Sequence, residues 1–360
     1  MTSSMCAVRS CKHEYKRRTE VVKYEVCTTP SSVLTAVRVL SQHRSIFLDC
    51  QGMSIGHIDG ALSLLSLGTP LEGRDKKHQR IFLIDTLALA GFPDTSVLYS
   101  LRDLLSSQAT VKIIWDGRMD EIELRHVLGV GIAHSPVIDL QVAEIIGRRK
   151  VLGESDYQRK IRLGKRAGLF PLLRSCPALF EGMHVVMTLG KCVEKYLPHT
   201  ALKKDPNVTS LQSRKEMFRF LERPVPGFIL DHSATNIRML ARLFDSFSSR
   251  QIVPRGHALR MLMQMSARRV SRNGLTTRVD ASSPFRVEGL LLLDSIMAPA
   301  EAEMIDCTAC GARLPTSSFL RKGQLRREQC RLCVALSLST GHTRSHPEAK
   351  KLAATWRSLT

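Results

Sequence analysis

An α/β fold, a mixed sheet flanked by helices and followed by a small cysteine-bearing module, is what three features of the sequence predict. Short apolar runs of strand length at residues 45–50, 61–67 and 81–87 are separated only by turn-forming or charged residues, which reads as an antiparallel meander. Beyond them, strand-like runs alternate with amphipathic helical segments, an order that covers both faces of a sheet. Two C-x₂-C pairs then lie near the C-terminus.

Residues 1–20 are polar and basic, with Lys16-Arg17-Arg18 in a row, and are expected as a flexible arm. Residues 21–27 alternate apolar and polar and read as a strand; Thr28-Thr29-Pro30 then offers an N-cap and a proline for the first turn of a helix. That helix carries Val33, Leu34, Val37 and Leu40 at helical spacing and should end before Arg44. Gly68-Thr69-Pro70 and the charged stretch 72–80 divide the meander strands. A helix over 97–105, a strand over 111–115, a helix over 120–128, a strand over 136–140 and a helix over 141–146 follow. Residues 148–222 read as helical and basic, broken at Pro171, Pro177 and Pro198. A helix over 227–247, with Ile229, Leu230, Ile237, Leu240, Leu243 and Phe244 inward, closes a main domain of 21–250. A basic helical connector is expected over 251–300, built on an amphipathic helix over 258–270 and a turn-rich stretch over 271–284. The cysteine module spans 301–338, and 339–360 reads as a flexible tail.

Composition narrows the partners. Lys and Arg outnumber Asp and Glu by 53 to 33, a formal charge of +20, and a polyanion is the simplest reason to carry such a field. Aromatic residues are 5% of the 360, too few for continuous base-stacking platforms. No apolar run has the length of a membrane span and no secretory h-region opens the sequence, so an intracellular protein of nucleus or cytoplasm, without a membrane partner, is expected. In a reducing compartment, close pairs among the ten cysteines point to metal more than to disulfide.

Four segments carry the candidate chemistry: Phe47-Leu48-Asp49-Cys50-Gln51-Gly52, then 112–120 with Trp115, Asp116 and Asp120, then Ile138-Asp139-Leu140-Gln141, then Arg223-Pro224 running on to His232 and Asn236. Residues two apart on a strand share a face, so Asp49 and Gln51 present their side chains together. The order and spacing of these segments resemble the ribonuclease D and Egalitarian-like branch of the DEDD 3′-to-5′ exonucleases over residues 22–248. That resemblance implies a ribonuclease H-like sheet and a site at which four carboxylates hold two Mg²⁺ or Mn²⁺ ions around a terminal phosphodiester. It places Asp49 and Asp120 at the first and third carboxylate positions, Gln51 at the second, Asn236 at the fourth, and His232 where the branch carries a tyrosine. Two carboxylates are thereby replaced by amides. An amide keeps the shape but loses a full negative charge, and hard dications require anionic oxygen, so weak or absent hydrolysis is expected. Asp231, Asp116 and Glu121 are the nearby acids that would have to supply a missing charge. Asp139 and Gln141 read as a helix cap, and Arg223-Pro224 as a turn.

Cys307-Thr308-Ala309-Cys310 and Cys330-Arg331-Leu332-Cys333 stand 19 residues apart, a spacing that fits a tetrahedral structural zinc site with no open position. With Leu314-Pro315, Phe319 and Gln324 between them, they look like small treble-clef or ribbon fingers. Arg321, Lys322, Arg326, Arg327 and Arg331 are expected to form its exposed basic surface, toward nucleic acid or an acidic protein. Together these observations predict a nucleic-acid-binding protein, RNA in preference to DNA, on an exonuclease-like frame. The alternatives are a working metal-dependent exonuclease and a protein-interaction scaffold.

Overall fold

The computed structural model describes residues 20–73, 78–91, 96–167, 170–213, 216–271, 278, 289–299, 301–322 and 325–339. The basic arm over 1–19, most of the turn-rich stretch over 271–284, and the tail over 340–360 lie outside the described residues.

Six strands form one mixed sheet: β1 (Glu25–Cys27), β2 (Ser45–Met53), β3 (Ala61–Gly68), β4 (Ile81–Asp85), β5 (Val111–Ile114) and β6 (Val137–Asp139), in the spatial order β1-β4-β3-β2-β5-β6. β2, β3 and β4 are the expected antiparallel meander. β5 and β6 add parallel to β2, and β1 adds parallel to β4 at the far edge. β1 is shorter than its alternating pattern implied, because Val21 is 85% exposed and has no apolar surface to cover.

The pleat sorts the residues of β2 in two. Ile46, Leu48 and Cys50 enter one apolar layer with the helices Pro30–Leu40 and Ser96–Ser106. Phe47 enters the other, packed edge-on against Phe244 of the long helix Gly227–Ser249. Asp49 and Gln51, in the same alternation as Phe47, therefore face that helix. The register of β2 on β3 shifts between Gln51 and Gly52. That irregularity ends the regular ladder just after the candidate pair.

Local chemistry sets the element ends. Thr29 caps the helix Pro30–Leu40 in a reciprocal capping box with Ser32, with Pro30 in the first turn. The helix Arg118–Leu128 starts two residues earlier than its apolar pattern indicates, so Asp120 lies inside its first turn, where a negative charge meets the helix N-terminus. It stops at Gly129, whose φ of +67° is a backbone state that side-chain-bearing residues seldom adopt.

The helix Gly256–Ser271, read from sequence as part of a connector, is packed into the domain. Leu262 and Met265 join the layer under the long helix, and the Ser266 hydroxyl accepts a hydrogen bond from the Asp139 amide at 2.9 Å. Basic residues do not keep it in solvent, because Arg269 is 5% exposed and its charge meets Asp116 at 3.6 Å. A third apolar layer joins Leu163, Leu179, Phe180, Met183, Val185 and Leu290 of the helical lobe to Leu320, Val334, Ala335 and Leu336 of the cysteine module, so the two pack together. Among the described residues, no helix is long and apolar enough to cross a membrane.

A buried ion pair within the helix Leu140–Lys150 anchors that helix to the strand Met183–Val185 and the helix Leu189–Tyr196. Arg148 and Glu144 are each about 1% exposed; Arg148 Nε donates to Glu144 at 2.9 Å and its Nη1 donates to the Val185 carbonyl at 2.7 Å. The Tyr196 hydroxyl donates to the same carboxylate at 2.8 Å. Removing one partner strands the other charge in the core, so Arg148→Ala is expected to cost about 3–5 kcal/mol, read as a lower midpoint in urea unfolding; an unshifted midpoint would refute the role given to this pair.

Candidate functional site

Asp49 and Gln51 from β2 and His232 and Asn236 from the helix Gly227–Ser249 meet in a cleft of about 920 Å³. The helix brings its two residues to one side because they are four apart, a single turn. Asp120, 8% exposed in the first turn of its own helix, is not on the cleft wall but lies close enough for the Asp49 charge to act on it. Four of the five positions drawn from sequence thus line one cleft, with Asp120 beside it.

The amides face Asp49 with their nitrogens. Gln51 Nε2 donates to Asp49 Oδ2 at 2.5 Å, and Asn236 Nδ2 donates to the same oxygen at 3.0 Å. The second hydrogen of the Asn236 amide faces His232 Nε2 at 3.4 Å. With Nε2 as the acceptor, the neutral imidazole carries its proton on Nδ1, which has no partner, and the Asn236 oxygen has none either.

Burial raises the Asp49 carboxyl above its ordinary value, while the Asn236 and Gln51 hydrogen bonds and the Lys204 ammonium pull it back. Asp120 is pushed well above its ordinary value, first by burial and then by the charges of Asp49, Asp116 and Asp139; a hydrogen bond from the Cys50 amide opposes this. Burial, with Lys204 nearby, lowers His232 from 6.5 to about 4, so it is neutral at neutral pH.

None of the acids that might supply the missing charge is available. Asp231 accepts from the Tyr24 hydroxyl at 2.9 Å, away from the cleft residues of its helix. Glu121 is held by Arg125 at 2.6 Å and by the amides of Ile132 and Ala133. Asp116 lines the cleft with a φ of +54°, yet its carboxylate is paired with Arg118 at 2.6 Å and faces Arg269. Asp139 accepts from the amides of Asp116 and Gln141, capping the helix Leu140–Lys150 as expected. Gln141 donates to the Met187 carbonyl, and Arg223 donates to Ser63 and Asp85; both tie segments together.

Lys204 was not legible as a site residue. It lies in a Lys203-Lys204-Asp205-Pro206 run with no motif spacing, and only the folded chain brings it to the wall of the cleft. Its aliphatic stem passes beside Gly190, and its ammonium lies near enough to Asp49 for each to shift the other's protonation.

In the C-terminal module, Cys307, Cys310, Cys330 and Cys333 gather with their sulfurs all within 4.8 Å of one another. The Cys307 and Cys333 sulfurs are 3.9 Å apart, far beyond a disulfide and close to the edge of about 3.8 Å that four Zn–S bonds of 2.3 Å impose on a tetrahedron. The Cys330 amide donates to the Cys307 sulfur at 3.2 Å, which orients a thiolate. Phe319 and Leu314 wrap the cluster. This donor set fits zinc and would fill its coordination.

Arg331, expected on the exposed basic surface, is instead 5% exposed. It donates to the carbonyls of Glu181 at 2.7 Å and Ser317 at 3.0 Å and pairs with Asp294, because its place between the metal-site cysteines points it at the helical lobe. The side chains of Arg321, Lys322, Arg326 and Arg327 lie outside the described residues.

No family model matches this sequence, and no curated protein matches it. Among solved structures, ribonuclease D of Trypanosoma brucei matches with a TM-score of 0.52 and 20% identity over 82% of this chain and 87% of that one. The same enzyme in its complex with GMP matches at a TM-score of 0.53 and 20% identity, over 81% of this chain and 82% of that one. Its complex with RNA U12 matches at 0.51 and 20% identity, over 81% and 84%. At this identity the likeness is one of fold.

Two measurements test the site as described. Elemental analysis of the purified chain should give one zinc per molecule, lost in Cys330→Ser together with a lower melting temperature, since metal binding is linked to folding. An imidazole NMR titration should place the His232 midpoint near 4. Because that value is depressed, its contribution to stability is complete above pH 6.5 and falls as the pH drops through about 4; a midpoint near 6.5 would contradict the buried neutral ring. The fold of this chain is that of the ribonuclease D type of DEDD 3′-to-5′ exonuclease, extended by a four-cysteine module.

Proposed function

We propose that this chain is a nucleic-acid-binding protein, RNA in preference to DNA, built on an exonuclease-like domain whose divalent-metal site is degenerate. One observation carries the reading: the Asp49 oxygen that would ligate a metal is occupied by two amide N–H donors, from Gln51 and Asn236. A dication in their place would meet two positive dipole ends and only two carboxylates, Asp49 and Asp120. These residues do not fit a two-metal centre, and no hydrolytic step is derived through one. His232 offers no compensating base, since its Nε2 lone pair faces the Asn236 amide and its proton affinity is low.

The partner follows from charge and shape. The formal charge of +20 favours a polyanion, and the cleft occupies the face at which the ribonuclease D fold presents its site. The neighbouring ribonuclease D structure holds RNA U12, which supports RNA as the ligand class here. In this reading the four-cysteine module holds structural zinc, and its basic strands Phe319–Lys322 and Leu325–Cys330 add affinity for nucleic acid or an acidic protein. Nucleus or cytoplasm is the proposed compartment.

With 5′-labelled single-stranded RNA in Mg²⁺ or Mn²⁺, the protein should form a complex that weakens steeply with salt and should leave the 3′ end intact. The reversal Gln51→Glu with Asn236→Asp should bind Mn²⁺ more tightly and release nucleotides from the 3′ end, an activity abolished by a further Asp49→Ala. A 3′-shortened ladder from the unaltered chain that disappears in Asp49→Ala would overturn the proposal in favour of a working exonuclease.

A further inference from the structure

We propose that the cleft binds a phosphodiester phosphate directly and without a divalent metal, through the Lys204 ammonium and the N-terminus of the helix Leu189–Tyr196, on a wall that includes His232. This rests on the nucleic-acid-binding reading above and gives the cleft its own recognition chemistry.

Two independent features converge on one cavity, with His232 on its wall. Lys204 lines it and, among the described residues, has no hydrogen-bond or ion-pair partner. Asp49, the nearest carboxylate in its reach, is already engaged by Gln51 and Asn236 and does not close an ion pair with it. A lysine held partly out of water beside a satisfied carboxylate keeps its donors for an incoming anion, and ammonium groups serve as point charges for phosphate.

His232 is 6% exposed and lines the same cavity. Its Nδ1 has no partner but is shut off from the cavity surface, so the ring contributes a neutral wall and not a donor to the anion. Asn236 fixes the polarity of the ring, since its amide hydrogen faces Nε2.

The second feature is a helix end. Thr188 and Leu189 are on the cavity wall, and Thr188 caps the helix Leu189–Tyr196 by accepting from the Lys191 amide. The first-turn amides of Leu189 and Gly190 have no helical carbonyl to bond, and the helix dipole favours an anion there. The stem of Lys204 packs beside Gly190 in the first turn of this helix.

The net effect is an exchange of cations. The ribonuclease H-like frame reaches phosphate through dications held by carboxylates. Here the carboxylates have been reduced in number and an ammonium from the chain itself stands in the cleft. An anion site of this kind holds a phosphodiester without polarising it for attack, because it supplies neither activated water nor a second cation at the leaving oxygen.

The test uses the full chain. Fluorescence anisotropy with a short labelled oligouridylate should give the same affinity, within about twofold, in EDTA and in Mg²⁺. Lys204→Gln should weaken binding about tenfold and lower the salt slope by about one, while Lys204→Arg retains affinity. In parallel, inorganic phosphate in EDTA should raise the melting temperature of the unaltered chain and of Lys204→Arg, but not of Lys204→Gln. Equal affinity and equal phosphate response in Lys204→Gln would overturn the site, as would loss of all RNA and phosphate binding in EDTA. Phosphate stabilisation that depends on Lys204 in a chain that binds no RNA would support the site while refuting the nucleic-acid reading.

Discussion

One carboxylate oxygen organises the centre of this protein. Asp49 Oδ2 accepts from an amide on its own strand and from another on the closing helix, so the strand β2 and the helix Gly227–Ser249 are joined through a single buried acceptor. The Asn236 amide then passes its other hydrogen toward His232 and so sets which ring nitrogen holds the proton. An ordinary exonuclease-like site would require mutual repulsion among carboxylates to be relieved by ions from solution. Here the relief is internal, since neutral donors of nearly the same shape do it within the chain. The arrangement stabilises the empty cleft, which is a different thermodynamic problem from stabilising a loaded one.

The same logic governs the ring of charges around it. Three acids near the cleft have partners: Asp116 its arginines, Glu121 its backbone amides and Arg125, Asp139 the helix start it caps. Glu123, fully buried, accepts from the Gly56 amide and pairs with Arg278. Several basic residues thus serve internal neutralisation, Arg148, Arg269 and Arg331 among them, all inside the protein. A bare count of positive residues overstates the cationic surface for this reason, whereas the net charge already subtracts the acids they meet.

Legibility in the sequence followed the range of the interactions. Strands β2 to β6 and the helices between them were readable because periodicity is local, and the Thr29-Pro30 start because a cap involves only neighbours. Asp49, Gln51, His232 and Asn236 were readable through the resemblance to the DEDD exonucleases, and the spacing within each pair, two on a strand and four on a helix, explains why each pair shares a face. Lys204 was invisible, since a loop residue reaches a cleft only through tertiary packing and leaves no period behind. Arg331 was misread for the opposite reason: a charged residue within a cysteine pair suggests a surface, and only the docking of the module against the carbonyl of Glu181 shows why it is buried. The helix Gly256–Ser271 was read as an amphipathic part of a connector, because its period reveals an apolar side but not the surfaces that Leu262, Met265 and Val270 pack against.

The apolar layer shared by the helical lobe and the cysteine module also sets an order of events during synthesis. Leu179, Phe180 and Met183 emerge from the ribosome long before Leu320, Val334 and Leu336, which are the residues that cover them. Until the module is made, the apolar face of the lobe lacks that cover. The module therefore acts as a cover added after the lobe it closes, and a chain stopped before it would carry a greasy face that favours association.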